Sequence, residues 1–217
     1  MPEYRSAADR KTRIIGKTIC RVAAVAPWAW PLISSSVGRF FDGAASGWDE
    51  RTMAGSPGHL ATLAAGLDSL DVKPERVLDL GCGTGAGTLF LAREFPTAGI
   101  RGVDLSDEMI ATAQSKIGLD PDARVSFRVA DASKLPFGDD SFDLVTQVNM
   151  PVFFREISRV IRPGGGVIIA TSLGDETPFS TPEKLVQRKL AAHGFGEVHS
   201  GAAGEGTWIA AKLEESR

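Results

Sequence analysis

The chain has little cysteine and histidine. Its 217 residues include two cysteines, Cys20 and Cys82, and three histidines at positions 59, 193 and 199. Two cysteines cannot form the disulfide framework of a small secreted protein, and the histidines have no metal-ligand spacing. We therefore expect a reducing, cytoplasmic environment and no structural metal.

Long apolar runs and an excess of positive charge are also absent. The net charge of −3 and the pI near 5.7 give no general attraction for phosphate backbones, so we expect no nucleic-acid substrate. The longest apolar stretch, residues 22–33, is about half of what a bilayer crossing requires. Although Lys17 and Arg21 precede it, no small-residue cleavage site follows. We expect neither a transmembrane segment nor a secretory signal.

The composition is that of an ordinary globular protein, with 43% hydrophobic and 24% charged residues in 23.0 kDa. A chain of this length suits one domain with a sizeable core. The first 50 residues differ from the rest, because they are basic at first and then carry clustered aromatic residues amid prolines at 27 and 31. We interpret residues 1–55 as a helical N-terminal extension or lid, and residues 56–217 as the catalytic domain.

From about residue 60, short apolar runs alternate with helical stretches, which is typical of βαβ units and a mostly parallel sheet. We predict strands at 76–80, 100–104, 125–130, 143–148, 166–172, 197–200 and 207–213. Helices are predicted near 86–95, 107–117, 151–161 and 182–193. The connection between the last two strands is too short for a parallel crossover, so that pair must be antiparallel. The prediction is an α/β fold with a Rossmann-like, doubly wound, seven-stranded sheet whose last strand is antiparallel.

A glycine-rich turn follows the first predicted strand in the segment DLGCGTG at 79–85. Glycines suit a backbone that turns tightly and lets a ligand approach closely, and the turn aims free amides at the next helix's N-terminus toward that ligand. The turn alone leaves two folds open. Together with Asp104, at the end of the second strand, it also satisfies a dinucleotide fingerprint, so a nicotinamide-dependent oxidoreductase competes at this point.

Further segments separate the two folds: GVDLSDEM at 102–109, DASKLPF at 131–137, SFDLV at 141–145 and REISRVIRPGG at 155–165. In this order and at this spacing, the sequence resembles the class I methyltransferases. The likeness is to the small-molecule branch that includes ubiquinone and menaquinone methyltransferases, and it covers roughly residues 75–172. The resemblance implies S-adenosyl-L-methionine as cofactor and in-line methyl transfer to a small-molecule acceptor.

The resemblance also implies individual roles around the cofactor. Asp104 would accept hydrogen bonds from both ribose hydroxyls, since a carboxylate suits a bidentate contact. Asp131 would accept from the exocyclic amine of adenine, while the backbone amide of Ala132 faces a ring nitrogen. Leu105 and Met109 would form the apolar walls of the adenine slot. The expected cofactor residues are Asp79, Gly81, Cys82, Gly83, Gly85, Asp104, Leu105, Met109, Asp131, Ala132 and Gln147.

The sequence departs from this branch after the fourth strand. The segment 147–154 is several residues shorter than in that branch, and it lacks the histidine that is often found there. The acceptor therefore cannot be inferred from the quinone enzymes. The segment NMP at 149–151 only partly matches a motif of amino-methylating enzymes, because its second residue is Met and Val152 follows. We identify no general base, and we expect the three histidines to be surface or packing residues.

The N-terminal aromatic cluster is expected to fold over the cleft and complete the acceptor pocket that the short loop leaves open. Trp28 and Trp30 beside Lys17 and Arg21 also suit an interfacial helix that makes peripheral membrane contact and collects lipid-like acceptors. The sequence does not set the oligomeric state.

Two other functions stay open. An NAD(P)-dependent oxidoreductase is weakened because the single tyrosine, Tyr4, cannot supply the Tyr-Lys pair of one large reductase group. A non-catalytic binder of S-adenosylmethionine is suggested by the shortened loop and the missing base.

Overall fold

The computed structural model describes residues 10–120 and 122–215 of the chain. Tyr4 and the first nine residues of the predicted extension lie outside this range. Within it, the strands are β1 Arg76–Leu80, β2 Gly99–Asp104, β3 Val125–Val129, β4 Phe142–Val148, β5 Ile161–Thr171, β6 Phe195–Ala203 and β7 Gly206–Leu213. The helices are α1 Arg10–Val25, α2 Ser34–Ala44, α3 Trp48–Thr52, α4 Pro57–Asp68, α5 Ala86–Glu94, α6 Asp107–Ser115, α7 Phe154–Val160 and α8 Glu183–Ala192.

The strands form one seven-stranded sheet in the order β3-β2-β1-β4-β5-β7-β6. Strands β1 to β5 pair in parallel, whereas β7 runs antiparallel to both β5 and β6. The predicted α/β fold with an antiparallel last strand is confirmed. Because the chain leaves β1 in one direction toward β2 and later returns to its other side at β4, the order switches beside β1. Open α/β sheets bind ligands at the carboxyl ends of their strands at such a switch point.

Both faces of the sheet are covered by helices, as a parallel sheet requires. Successive side chains of β1 point to opposite faces of the sheet. Leu78 packs in a cluster with residues of α7 and α8, whereas Val77 packs in a cluster with residues of α4 and α5. Both side chains are fully buried. The central strands are therefore mostly apolar, and their buried polar side chains stand out: Asp79 of β1, and Asp143, Thr146 and Gln147 of β4.

Three predicted elements differ from the structure by three or more residues at one end. Strand β6 spans Phe195–Ala203 rather than 197–200. Strand β5 begins at Ile161 rather than residue 166, because Ile161 pairs with Phe142 before an irregularity in the ladder. Helix α7 begins at Phe154 rather than residue 151, because Pro151 and the following two residues form an extended approach to it.

The N-terminal extension is helical, as predicted. Helix α1 ends at Val25, just before a short 3₁₀ helix over Pro27–Leu32 that holds both prolines. Helix α4 is properly capped, because the Ser56 side chain accepts from the backbone amide of His59 at 3.2 Å and Pro57 takes the first helical position. None of the helices among the described residues is both long and apolar enough to cross a bilayer.

Candidate functional site

A cavity of about 140 Å³ lies at the carboxyl ends of β1, β2 and β3. Nine of the eleven predicted cofactor residues line it: Asp79, Gly81, Cys82, Gly83, Asp104, Leu105, Met109, Asp131 and Ala132. The fold thus brings together three loops that are separated by up to 50 residues of sequence. The two other predicted residues, Gly85 and Gln147, are not among the lining residues.

The glycine turn combines an open position with a packed one. Gly83 has a φ of 51°, and a Cβ there would meet nothing closer than Trp48 Nε1 at 4.0 Å. Gly85 has a φ of 88°, and a Cβ there would lie 2.7 Å from the Phe127 ring. Gly83 therefore leaves room for a ligand against bare backbone, whereas Gly85 allows the turn to pack against β3.

Asp79 lies beneath the glycine turn and is 2% exposed. The hydroxyls of Thr88 and Thr146 donate to its two carboxylate oxygens at 2.7 and 3.1 Å. Burial raises the pKa of Asp79 to about 6, and the two hydroxyls oppose that shift because they stabilise the charged form. This carboxyl group anchors the turn to β4 and to α5, and its charge is placed under the cavity floor.

Asp104, at the end of β2, connects two of the loops. Its two oxygens accept from the backbone amides of Gly83 and Ser106, each at 2.9 Å. Burial raises the pKa of the Asp104 carboxyl, while those amide bonds oppose the shift. A carboxylate has about four acceptor positions, so each oxygen keeps capacity for a ligand hydroxyl.

Asp131, at the loop after β3, has an unexpected partner. The indole Nε1 of Trp30 donates to both of its oxygens, at 2.9 and 3.0 Å, and the Ser133 amide donates to Oδ1 at 2.8 Å. Trp30 is 3% exposed and packs edge-on against Phe153 with ring centroids 5.0 Å apart. Sequence reasoning placed Trp30 in an aromatic cluster but gave no signal for this contact across 101 residues.

The N-terminal extension forms the roof of the cavity. Its residues on the cavity wall are Trp30, Val37, Phe41, Trp48 and Ala54, and His59 and Leu60 of α4 lie on the same wall. Asp49 ties the roof to the glycine turn, because its carboxylate accepts from the Thr84 hydroxyl and forms an ion pair with Lys116. Lys116 also donates to the Thr84 carbonyl oxygen at 2.8 Å. The extension therefore contacts the cofactor loops through polar bonds as well as aromatic packing.

Two potentially reactive side chains lie on the wall. Burial raises the pKa of the Cys82 thiol well above its ordinary value, and the nearby carboxyls of Asp79 and Asp104 add to the shift. Cys82 is therefore a neutral, apolar filler. His59 is half-buried, and burial lowers its pKa while the Asp49 charge opposes that effect. Of the three histidines, which were expected to be surface or packing residues, His59 lines the cavity, because the fold brings α4 to the glycine turn.

Gln147, near the end of β4, is bonded to the segment that follows this strand. This residue is 1% exposed, its Nε2 donates to the Met150 carbonyl at 3.3 Å, and its Oε1 has no hydrogen-bond partner among the described residues. Met150 itself packs on the turn, since a Cβ at Gly81 would lie 2.6 Å from its sulfur. Gln147 thus supports the cavity floor from below.

Asn149 does not offer its amide to a ligand. Its Nδ2 donates to the Ser172 hydroxyl at 2.8 Å, and its Oδ1 accepts from the Ser172 amide at 2.9 Å. With both ends of its amide engaged, Asn149 holds β4 to the end of β5. The partial likeness to an amine-holding motif gains no support from this arrangement.

Comparison with known proteins agrees with the site. Residues 77–165 match the family model described as a methyltransferase domain. A ubiquinone/menaquinone biosynthesis C-methyltransferase of Geobacter sulfurreducens is 34% identical over 132 residues, which cover 57% of this chain and 49% of that protein. A fatty-acid O-methyltransferase of Mycolicibacterium smegmatis is 39% identical over 102 residues, which cover 44% of this chain and 36% of that protein.

The matched region spans half or less of the length of each of these two relatives. Among solved structures, an S-adenosylmethionine-dependent methyltransferase from Thermotoga maritima superposes with a TM-score of 0.63, covering 82% of this chain and 99% of that one. At 16% identity, this likeness shows the fold alone. The alternative of a nicotinamide-dependent oxidoreductase finds no support in these comparisons.

Proposed function

We propose that this chain, which carries a class I S-adenosylmethionine-dependent methyltransferase domain, transfers the methyl group of that cofactor to a small-molecule acceptor. One observation carries the proposal. The cavity at the carboxyl ends of β1, β2 and β3 combines an open glycine turn with the carboxylates of Asp79, Asp104 and Asp131. The open backbone leaves room for one end of a ligand, and the three carboxylates can accept hydrogen bonds from hydroxyl or amine groups along the rest of it.

The residues present fit the cofactor. Gly81 and Gly83 would cradle the methionine part, and the two ribose hydroxyls would donate to Asp104. Leu105 and Met109 would hold the adenine ring between apolar walls. Three of the predicted residues would support the site: Gly85 shapes the turn, Cys82 fills the wall and Gln147 supports the floor.

Asp131 and Ala132 would read the adenine edge. The Trp30 indole donates one N–H, shared between the two oxygens of Asp131, so other lone pairs of this carboxylate can accept from an exocyclic amine. Trp30 therefore orients the carboxylate. A fixed acceptor loses less conformational freedom when the amine binds than a freely rotating one would.

When bound, the sulfonium of S-adenosylmethionine supplies an electrophilic methyl group and a good leaving group. The chain has to hold the acceptor in line and exclude water. The roof of Trp30, Phe41 and Trp48 supplies that exclusion. His59, which burial keeps neutral near pH 7, is the histidine on the cavity wall that would accept a proton from an acceptor that must lose one.

Calorimetric titration of the full chain with S-adenosylmethionine, S-adenosylhomocysteine and NADH tests the proposal. Binding of the first two without NADH is expected. NADH binding alone would overturn it. A product assay for S-adenosylhomocysteine across a panel of lipids and small metabolites then separates an enzyme from a non-catalytic binder, because only an enzyme accumulates product when the acceptor is present.

We also propose a cytoplasmic protein that makes peripheral membrane contact and takes a lipid-like acceptor. The names of relatives such as the fatty-acid O-methyltransferase support that acceptor class. The surface supports the contact: Trp28 and Leu32 are 80% and 81% exposed, next to the basic helix α1, which has no acidic residue in its first turn. Exposed aromatic and aliphatic side chains beside cations suit an anionic lipid surface.

Sedimentation with phosphatidylglycerol vesicles tests this contact. The Trp28→Ser/Leu32→Ser variant should bind vesicles more weakly than the wild type, whereas Phe40→Ser, a change at an exposed aromatic residue of α2, should not. Equal sedimentation of all three proteins would contradict the membrane contact.

A further inference from the structure

A second cavity, of about 590 Å³, lies beside the first. It is bounded by α1, by the ends of β5 and β7, and by the segment that leads into α8. Its apolar lining includes the aliphatic side chains of Ile14, Val152, Ile169, Val186 and Ile209. This volume falls within the ordinary range of small-molecule sites and exceeds that of the cofactor cavity. Nothing in the proposed cofactor contacts uses it.

The two cavities share a partition. Met150 and Phe179 line both of them. Met150 packs on Gly81 of the glycine turn on one side, and Phe179 packs at a tilt against Phe41 of the roof with ring centroids 5.4 Å apart. Methionine is flexible and adapts its shape to neighbours. The side chains of Met150 and Phe179 are therefore the ones that a molecule in the second cavity would share with a ligand in the first.

The α1 wall of the second cavity is cationic. Lys17 and Arg21, one helical turn apart, line it, and among the lining residues that the structure describes Glu183 of α8 is the acidic one. Hydroxyl oxygens also line the cavity, those of Thr18, Thr171, Ser180, Thr181 and Thr207; the Thr18 and Ser180 hydroxyls donate to the carbonyls of Ile14 and Thr177 and keep acceptor capacity. An apolar interior with two cations and several hydroxyls at its wall suits a ligand that has a hydrocarbon body and an anionic group.

We infer that the second cavity binds the methyl acceptor, and that the acceptor is an anionic amphiphile whose charged group pairs with Lys17 and Arg21. Its reacting atom lies at the partition of Met150 and Phe179, where it meets the methyl group. This inference rests on the proposed function. The methyl group passes from sulfur to the acceptor atom, and any proton that this atom carried is lost to a base or to solvent.

A fluorescent eighteen-carbon fatty acid, cis-parinaric acid, and its uncharged methyl ester are the probes. They are titrated into the full chain saturated with S-adenosylhomocysteine. The wild type should bind the acid about tenfold more tightly than the ester, which corresponds to one charge-assisted contact. The Lys17→Gln/Arg21→Gln variant should bind acid and ester equally. Lys11→Gln removes a positive charge from the same helix at a residue that does not line the cavity, and it should behave as the wild type.

Steric filling gives a second measurement. Thr207→Trp places a large side chain at an exposed position on the cavity wall and should weaken acid and ester alike, by about tenfold or more. Equal affinity of the wild type for acid and ester, or unchanged binding by Thr207→Trp, would overturn the inference.

The two proposals fail separately. If S-adenosylhomocysteine does not bind, the proposed function fails; if it binds and the acid does not, the acceptor inference alone is overturned. Competition then identifies the source of the amphiphile. Displacement of the probe by monomeric laurate supports a free fatty acid, and displacement by phosphatidylglycerol vesicles supports a membrane lipid. Displacement by neither would count against the inference.

Discussion

Asp104→Ala should weaken binding of S-adenosylhomocysteine by about 2 kcal/mol or more, which is roughly a thirtyfold rise in Kd. The reason is the position of this carboxylate on the cavity wall at the end of β2. Each hydrogen bond to a charged acceptor contributes about 1.5–3 kcal/mol, and the substitution removes the acceptor for two ribose hydroxyls at once. Partial compensation by water brings the expected loss toward the lower end.

The same substitution affects the turn, because Asp104 also accepts the amides of Gly83 and Ser106 at 2.9 Å. Thermal unfolding without ligand measures that contribution separately. Asp104→Asn keeps the shape and one acceptor oxygen, so it should lose less affinity than Asp104→Ala. Asp107→Ala is the matched control, since Asp107 is an exposed carboxylate in the first turn of α6, just beyond the same loop.

The pH dependence of binding has a definite sign. Burial raises the pKa of Asp104, and only the ionised carboxylate accepts from both hydroxyls. Affinity should therefore fall as the pH is lowered through that raised pKa, and Asp104→Asn should lose this dependence. Calorimetry at several pH values measures both effects. If the folded Asp104→Ala variant binds with wild-type affinity, Asp104 is only a capping residue and the cofactor assignment is refuted.

Three further predictions concern the turn and the extension. Burial raises the pKa of Asp79 from 3.8 to about 6 in the folded state, so the folded chain binds this proton more tightly. The contribution of Asp79 to stability should therefore be fully present below pH 3.8 and fall by about 3 kcal/mol as the pH rises through 6. Denaturant titrations should find this component of the slope lost in Asp79→Asn. Gly85→Ala should lower the free energy of unfolding by about 2 kcal/mol or more through its contact with Phe127, whereas Gly83→Ala should mainly weaken cofactor binding in calorimetry. A chain that begins at Gly55 should bind cofactor more weakly and show faster hydrogen exchange in the glycine turn; full binding and methylation by it would disprove the role of the extension.

Local sequence was sufficient for the part of the site that consecutive residues build. The strand β1 and the glycine turn follow from an apolar run and from glycines that only tight backbone turns require, so both were predicted with their correct bounds. The loops after β2 and β3 followed because carboxyl ends of parallel strands meet at one edge. Strand β5 was predicted to start too late, since its first residue joins the sheet by pairing with Phe142, a contact that glycines 164 to 166 conceal in the sequence.

Contacts between distant residues could not be predicted in this way. The hydrogen bond from Trp30 to Asp131 spans 101 residues, and nothing near either residue specifies the other. His59 reaches the cavity because α4 packs against β5 and β7, and therefore its helix is placed by tertiary contacts rather than by its own sequence. Propensity and motif reasoning identify which residues carry chemistry, but the partner of each residue depends on how helices dock on the sheet.

The N-terminal extension covers the part of the cavity that the short loop after β4 cannot reach. Residues 149–153 run directly from β4 toward α7, with Asn149 fixed to Ser172, so this segment has no length left to fold over the cavity. The extension covers the same opening from the other side, where Trp30 packs on Phe153 and donates to Asp131. The roof cannot open without breaking the hydrogen bond between the Trp30 indole and the half-buried Asp131 carboxylate, which costs about 1–3 kcal/mol where water does not replace the lost partner. Because Trp30 holds this carboxylate in the orientation proposed for the cofactor's amine, we expect cofactor binding to favour the closed roof, so that binding and closure of the extension are coupled.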